Sequence, residues 1–359
     1  MQHEPETQGA PSPASHALRV VAIGGGTGLS TFLRGLKRYT LLPGESAPAA
    51  PYISELTAVV TVSDDGGSSG RLRRELNILP PGDIRNCLVA VSEDENLISK
   101  LFQHRFSGTG DLEGHSFGNL FLAALTALTG DFAEAVKRAS EILATRGHIL
   151  PATSSDVRLE AIMDDGSHVR GETNITASEK RVVELRLVPA DAKPLAQTLE
   201  AIAEADVITI GPGSLFTSLI PSILVQKMPE AIAASRAVRI FICNLMTEAN
   251  ESLNMTASDH IKAIYAHAGR PIFDYALVNA APVSAHMKER YAEEEAKQVE
   301  CDSEEIEALG VTCITGNFVE EQHFARHATD RLCQELLKLA AAHNRSSRIL
   351  PSSIRALLA

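Results

Sequence analysis

The run Val20-Val21-Ala22-Ile23 passes without a break into Gly24-Gly25-Gly26-Thr27-Gly28 and then into Leu29-Ser30-Thr31-Phe32-Leu33-Arg34-Gly35-Leu36-Lys37. A buried strand feeding a glycine loop and a helix is the repeating unit of parallel α/β sheets, and few other folds accommodate it. Glycines leave bare backbone N–H groups, and the first helical turn adds unpaired N–H groups and a partial positive charge. A phosphate binds at such a junction. The two common fingerprints do not apply. A dinucleotide fingerprint read from Gly24 needs a glycine where Leu29 stands, and a P-loop needs Gly-Lys-Ser/Thr.

Further short apolar runs repeat the strand signal: Leu56 to Val62, Asp206 to Ile210, Val238 to Cys243 and Tyr275 to Val278. Helical patterns follow most of them, at Leu72 to Leu76, Phe117 to Leu128, Phe132 to Thr145, Leu195 to Ala203 and His260 to His267. Alternation of this kind predicts an α/β fold, a mostly parallel sheet with helices on both faces. The middle differs. Val157 to Ile162, a turn at Met163-Asp164-Asp165-Gly166-Ser167, and His168 to Glu172 read as a hairpin, with Arg181 to Val188 as a third strand. The expected organisation is a flexible tail over 1–17, a single α/β domain over 18–343 with a small antiparallel β insertion at about 153–188, and a loosely held tail over 344–359.

With 359 residues and 44% apolar content, the chain has enough material for one large core or two modest ones. A net charge of −12 works against broad phosphate-backbone contact, so nucleic acid is not expected as a partner. Five scattered cysteines (Cys87, Cys243, Cys301, Cys313, Cys333) form no C-x-x-C pair, which argues for a reducing cytoplasm and against a disulfide framework or zinc site. The polar start has no apolar signal-peptide segment. Val207 to Gln226 is uncharged, but Gly211-Pro212-Gly213 and Pro221 interrupt it, so it reads as a buried strand, loop and helix start and not as a membrane span.

Ligands of open parallel sheets sit beyond the carboxyl ends of the strands, so the loops leaving those ends are read together. After the second strand comes Ser63-Asp64-Asp65-Gly66-Gly67-Ser68-Ser69-Gly70-Arg71. Adjacent Asp64 and Asp65 have the chemistry to hold Mg²⁺, which relieves their mutual repulsion, while the glycines and serines offer donors to phosphate oxygens. The competing reading makes one Asp a helix cap near Arg71 and leaves the other solvated. Arg71, Arg73 and Arg74 are read either as counter-charges or as helix surface. In Pro80 to Asn86, Asp83 reads as a helix cap and Arg85 as an anion ligand or ion-pair partner. His115 and Ser116 stand at the positive end of a long apolar helix, His115 being a general acid/base candidate or a packed cap. Gly211-Pro212-Gly213-Ser214 repeats the phosphate-loop logic. Asn244, Thr247 and Asp259 are the candidates for base or ribose, although Ser258-Asp259 also reads as an N-cap. His323 and His327 have the spacing of one helix face, but the intervening Phe324-Ala325-Arg326 lacks the glutamate of a zinc protease motif, which argues against a metal site there. No activated Ser or Cys nucleophile is present in the pattern, and no redox cofactor is expected.

Five of these segments occur together and in order: Ile23 to Ser30, Val62 to Arg71, Pro81 to Asn86, Gly114 to Asn119 and Gly211 to Ser218. In this combination the chain resembles the YvcK, or gluconeogenesis factor, family from Leu18 to about Leu339. The superfamily includes the CofD 2-phospho-L-lactate transferases of F420 synthesis. The resemblance implies a Rossmann-like fold and, for the YvcK branch, a regulatory protein binding a UDP-sugar such as UDP-N-acetylglucosamine, linked to gluconeogenic growth and cell shape. It implies a nucleotide site made of Gly24, Gly25, Gly26, Thr27, Gly28, Asp65, Gly66, Gly67, Ser68, Ser69, Asn119, Gly211, Pro212, Gly213, Ser214, Asn244, Thr247 and Asp259. It also leaves room for a homo-oligomer and for envelope-synthesis partner proteins. The alternative is a Mg²⁺-dependent transferase, with Asp64 or Asp65 as metal ligand and His115 in the chemistry; against it, Gly26-Thr27-Gly28-Leu29-Ser30 departs from the transferases' Gly-Thr-Gly-Gly-Ala.

Overall fold

The computed structural model describes residues 17–41, 44–48, 50–93, 97–249 and 251–349. The strands are β1 (Ala17–Gly24), β2 (Tyr52–Val60), β3 (His148–Pro151), β4 (Arg158–Met163), β5 (His168–Arg170), β6 (Val182–Val188), β7 (Val207–Ile210), β8 (Val238–Ile242), β9 (Tyr275–Asn279), β10 (Thr312–Gly316), β11 (Val319–Glu321) and β12 (Ala325–His327). The helices are α1 (Gly26–Lys37), α2 (Gly67–Leu76), α3 (Gly82–Val91), α4 (Leu97–Gln103), α5 (Phe117–Thr129), α6 (Phe132–Ile142) and α7 (Glu172–Thr176). They continue as α8 (Ala196–Glu204), α9 (Ile220–Ile223), α10 (Met228–Ala234), α11 (Ala257–Ala268), α12 (Ala285–Ala292), α13 (Ser303–Ala308) and α14 (Thr329–Ile349). A π-helical turn, Leu215–Leu219, precedes α9.

Seven strands form one sheet in the order β10-β9-β8-β7-β1-β2-β3, and every pairing in it is parallel. The chain builds outward from β1 through β2 to β3, then returns to the other side of β1 as β7 and builds outward again. The reversal falls between β1 and β7, and a crevice opens beyond the carboxyl ends of the two strands there. The apolar runs explain why these strands are central. Ala22, Ile23, Val207, Ile208, Ile240, Phe241 and Ile242 are essentially inaccessible, as strands covered on both faces must be. Each large apolar side chain buried in this way contributes about 1.5–3 kcal/mol of transfer free energy.

The antiparallel insertion is present as β5-β4-β6, with Arg158↔Val188 and Glu160↔Arg170 among its registered pairs. Its alternating burial matches a sheet with one face packed and one open. Helix ends obey local rules. Ser116 accepts from Asn119 N to start α5, and Gly130 closes that helix in the left-handed conformation.

Several boundaries differ from the sequence expectations. β1 begins at Ala17, and α14 runs on to Ile349, through part of the stretch expected to be a loose tail; residues 1–16 and 350–359 lie outside the described residues. α2 starts at Gly67, before the expected start near Arg71, because Asp64 Oδ1 turns back to Gly66 N at 2.8 Å and sets the chain into the helix early. His323 and His327 are not on a helix: β11 and β12 form a hairpin, with His323 at its turn and His327 at its end. β3, β10 and this hairpin have sequences too short and too mixed to announce themselves. Cys301 and Cys313, scattered in sequence, stand with their sulfurs 4.0 Å apart, and all five cysteines are free.

Candidate functional site

The loops after β1 and β7 meet at the crevice. A Cβ on Gly28 would lie 2.6 Å from Pro212 O and 3.0 Å from Gly213 Cα, so only a glycine lets the two loops touch. Gly25 is equally confined: a Cβ there would come within 2.4 Å of Thr61 Cγ2 and 2.9 Å of Asp83 Oδ2. Beyond this contact lies a cavity of roughly 490 Å³, a size suited to a small-molecule ligand. Its wall brings together Gly25, Gly26, Thr27, Gly28, Pro212, Gly213, Ser214, Asn244 and Thr247, nine of the residues expected from sequence. Gly24 and Gly211 end or follow the strands just below it.

The second loop is pinned from inside. Asn244 Oδ1 accepts from Gly213 N at 3.2 Å, and Glu251, 5% exposed, accepts from Phe216 N at 2.9 Å and Thr217 N at 2.7 Å. The first-turn amides expected to face a phosphate are therefore partly taken by a resident carboxyl group. α1 has a comparable guest. Asp83 Oδ2 accepts from Gly26 N at 2.8 Å. Burial, reinforced by the charge of Asp64, pushes the Asp83 carboxyl up to about 6 against the opposing effect of that hydrogen bond.

The Asp-Asp-Gly-Gly-Ser-Ser loop lies beside the cavity and not in its wall. Asp65 turns to the insertion, where its Oδ1 accepts from Thr173 N at 2.9 Å and Thr173 Oγ1 at 2.7 Å. Asp64 turns the other way, its Oδ2 3.1 Å from where a Gly82 Cβ would be. The expected Asp64–Asp65 metal pair is thus split, because each carboxylate serves a different backbone turn. Asp83, expected only as a helix cap, is the acid that joins Asp64; Pro81 takes the cap position. Among the described residues no three His, Cys, Asp or Glu side chains converge as a metal cage. Two carboxylates supplemented by ligand phosphates fit Mg²⁺, which keeps few protein ligands. Glu172, at the start of α7, completes the acidic group. Burial first, then the charges of Asp64, Asp83 and Asp65, raises its carboxyl to about 9.

Other expected residues serve the scaffold. Ser68 Oγ meets His115 Nδ1 at 2.9 Å and accepts from Asn119 Nδ2 at 3.1 Å. His115 is 4% exposed and outside the cavity wall, its basicity lowered by burial and then by Arg71. Ser69 packs under Gly82, while Gly66 and Gly67 form the cap and first residue of α2. Arg85 bonds Ser116 Oγ and Asn119 Oδ1, and buried Arg73 pairs with Asp156, so neither is a free counter-charge. Asp259 is not the N-cap of α11: Thr256 is, and Asp259 closes the reciprocal capping box from the third position, away from the cavity wall.

Sequence reasoning missed Thr176, Ser218, Glu248, Tyr291, Glu294 and His327 as cavity residues. Glu248 and Ser218 lay in loops already noticed and His327 was weighed only as a metal ligand; Thr176, Tyr291 and Glu294 come from distant segments with no local signature. His327 is neutral, since burial lowers it to about 4, and its Nε2 meets Cys243 O at 3.0 Å.

The model of the family described as "2-phospho-L-lactate transferase CofD" matches residues 20–319. The gluconeogenesis factor of Halalkalibacterium halodurans is 48% identical over 89% of this chain and 95% of its own length. That of Bacillus subtilis is 45% identical over 89% of this chain and 98% of its own. A crystal structure of a UPF0052-family protein from Bacillus halodurans superposes with a TM-score of 0.83 at 48% identity, covering 89% of this chain and 99% of that one. No single helix among the described residues is long and apolar enough to cross a membrane. With a switch-point crevice closed by two glycine loops and relatives matched over most of their length, the chain belongs to the CofD-like YvcK family, the gluconeogenesis factors.

Proposed function

We propose that the protein is a nucleotide-sugar-binding regulator, taking a UDP-sugar such as UDP-N-acetylglucosamine, and that it acts in gluconeogenic growth and cell shape, in the cytoplasm. The observation that carries the reading is the contact of Gly28 with Pro212 and Gly213, which sets two glycine loops on one cavity. A diphosphate lies at these loops, while the nucleoside extends toward Asn244 and Thr247. Asp64 and Asp83 would hold Mg²⁺, which would supply charge neutralisation to a bound diphosphate. The wall is rich in binding groups, and its one histidine is neutral and engaged with a backbone carbonyl, which favours sensing over turnover. Calorimetry with UDP-N-acetylglucosamine and other UDP-sugars, with and without Mg²⁺, tests this. Heat on titration is expected; its absence from every UDP-sugar rejects the reading.

A second reading is favoured by the family match itself. A transferase of the 2-phospho-L-lactate type would use the same loops to position a pyrophosphate-linked donor, with catalysis from positioning and charge neutralisation. Release of GMP from the guanylylated phospholactate donor, in the presence of acceptor and Mg²⁺, would establish it.

A further inference from the structure

The loop after β8 contributes one acid, Glu248, to the cavity wall, which also includes Glu294 from after α12. Glu248 belongs to a connected set. Gly213 N donates to Asn244 Oδ1 at 3.2 Å, Asn244 Nδ2 reaches Glu248 Oε1 at 3.4 Å, and Ser252 Oγ accepts from Glu248 N at 3.0 Å. Behind it Glu251 is buried and occupied by the Phe216 and Thr217 amides. Burial and then the charge of Glu248 push the Glu251 carboxyl well above the ordinary carboxylate range. On the loop after β8 the carboxylate at the wall is that of Glu248, with Glu294 on a separate segment of the same wall, and the position of Glu248 is tied through Asn244 to the backbone of the Gly-Pro-Gly loop.

β7 and β8 are hydrogen-bonded neighbours, so the loop after β8 lies one strand spacing from the loop after β7, about 5 Å. In a nucleoside diphosphate the group next to the phosphates is the ribose, with two vicinal hydroxyl donors. A carboxylate is an acceptor-only group and suits such a pair. We propose that Glu248 is the residue that reads the ribose, accepting from the sugar's vicinal hydroxyls while the diphosphate rests on Gly28 and Gly213. This rests on the nucleotide reading above and adds to it a requirement for a ribonucleotide, whatever its base.

The test uses UDP, GDP and ADP with their 2′,3′-dideoxy counterparts, titrated calorimetrically into the full chain. For whichever diphosphate binds, the dideoxy form is expected to bind the wild-type protein about tenfold or more weakly, the loss of a hydrogen bond to a charged group. In Glu248→Ala that penalty is expected to vanish, ribo and dideoxy forms binding alike, and Glu248→Asp to restore part of it. A purely structural Glu248 would weaken both forms equally, which overturns the proposal. Equal binding of ribo and dideoxy forms to the wild type overturns it without any variant, and Glu248→Met, similar in length but without an acceptor oxygen, gives the same comparison if the alanine variant does not fold. If no ribonucleoside diphosphate and no UDP-sugar binds, the nucleotide reading itself is overturned and this proposal with it; binding without discrimination removes Glu248 alone.

Discussion

Asp83 Oδ2 accepts the Gly26 N–H at 2.8 Å, so a buried carboxylate from α3 occupies the start of α1, where an unliganded glycine loop would otherwise present a bare donor. The same acid is repelled by Asp64 and repels Glu172. The glycine-loop end of the fold is thus lined by acids as well as amides, an arrangement that a cation or a bound proton stabilises.

Glu172 and His327 give stability two opposite pH limbs. The native Glu172 carboxyl titrates at about 9 against 4.5 for an ordinary one, so between these values the native state holds a proton the unfolded chain releases, and stability falls as pH rises. His327 titrates at about 4 against 6.5, so over that interval the unfolded chain binds the extra proton, and stability falls as pH drops. Between pH 6.5 and 9 the Glu172 effect stands alone, so thermal midpoints should fall across that interval and Glu172→Gln should flatten the fall; between pH 4 and 6.5 the His327 effect opposes those of Glu172 and Asp83, so His327→Asn should make stability fall more steeply with rising pH there. An unchanged alkaline limb in Glu172→Gln contradicts the assignment.

Gly28→Ala should separate the two loops. Its Cβ would meet backbone atoms of Pro212 and Gly213 that have no side-chain freedom to yield, costing about 1–3 kcal/mol. Gly110→Ala, with nothing near its Cβ and no positive φ, is the matched control. Denaturant titration should find the first destabilised and the second within about 0.5 kcal/mol of wild type.

Arg73 ties α2 to the entry of the insertion through Asp156 and the Val157 carbonyl, and its side chain is 3% exposed. Arg73→Ala leaves a buried carbonyl without its donor and should cost about 2–3 kcal/mol. Arg73→Lys should recover only part, since one ammonium cannot span both partners. Equilibrium unfolding of the two variants checks the order.

Asp64 and Asp65 should differ although they adjoin. Asp65→Asn weakens the hold on Thr173 and should speed amide exchange in 158–188, with a global cost below about 1 kcal/mol for so exposed a contact. Asp64→Asn should weaken the Mg²⁺-dependent part of UDP-sugar binding. Hydrogen exchange and calorimetry on both variants separate the roles; an Asp65→Asn variant that loses all metal dependence would show the pair acting together after all.

The sequence alone determined the α/β architecture, the three-stranded insertion and the two glycine loops at strand ends, because each is written in local patterns: apolar runs of strand length, period-two alternation between turn residues, and glycines at strand ends. It also supplied nine of the cavity residues, all adjacent to those glycines or on the next strand's loop. Tertiary structure decided which acids act together. Asp64 and Asp65 are neighbours in sequence yet hydrogen-bond to different turns, whereas Asp64 acts on Asp83 across the fold and Glu172 feels the charges of Asp64, Asp83 and Asp65 from a separate segment. The order β7-β1-β2 likewise had to form before Gly28 and Gly213 could touch. A side chain's direction and partner across the sheet depend on strand order and helix docking, and no local window of residues encodes either.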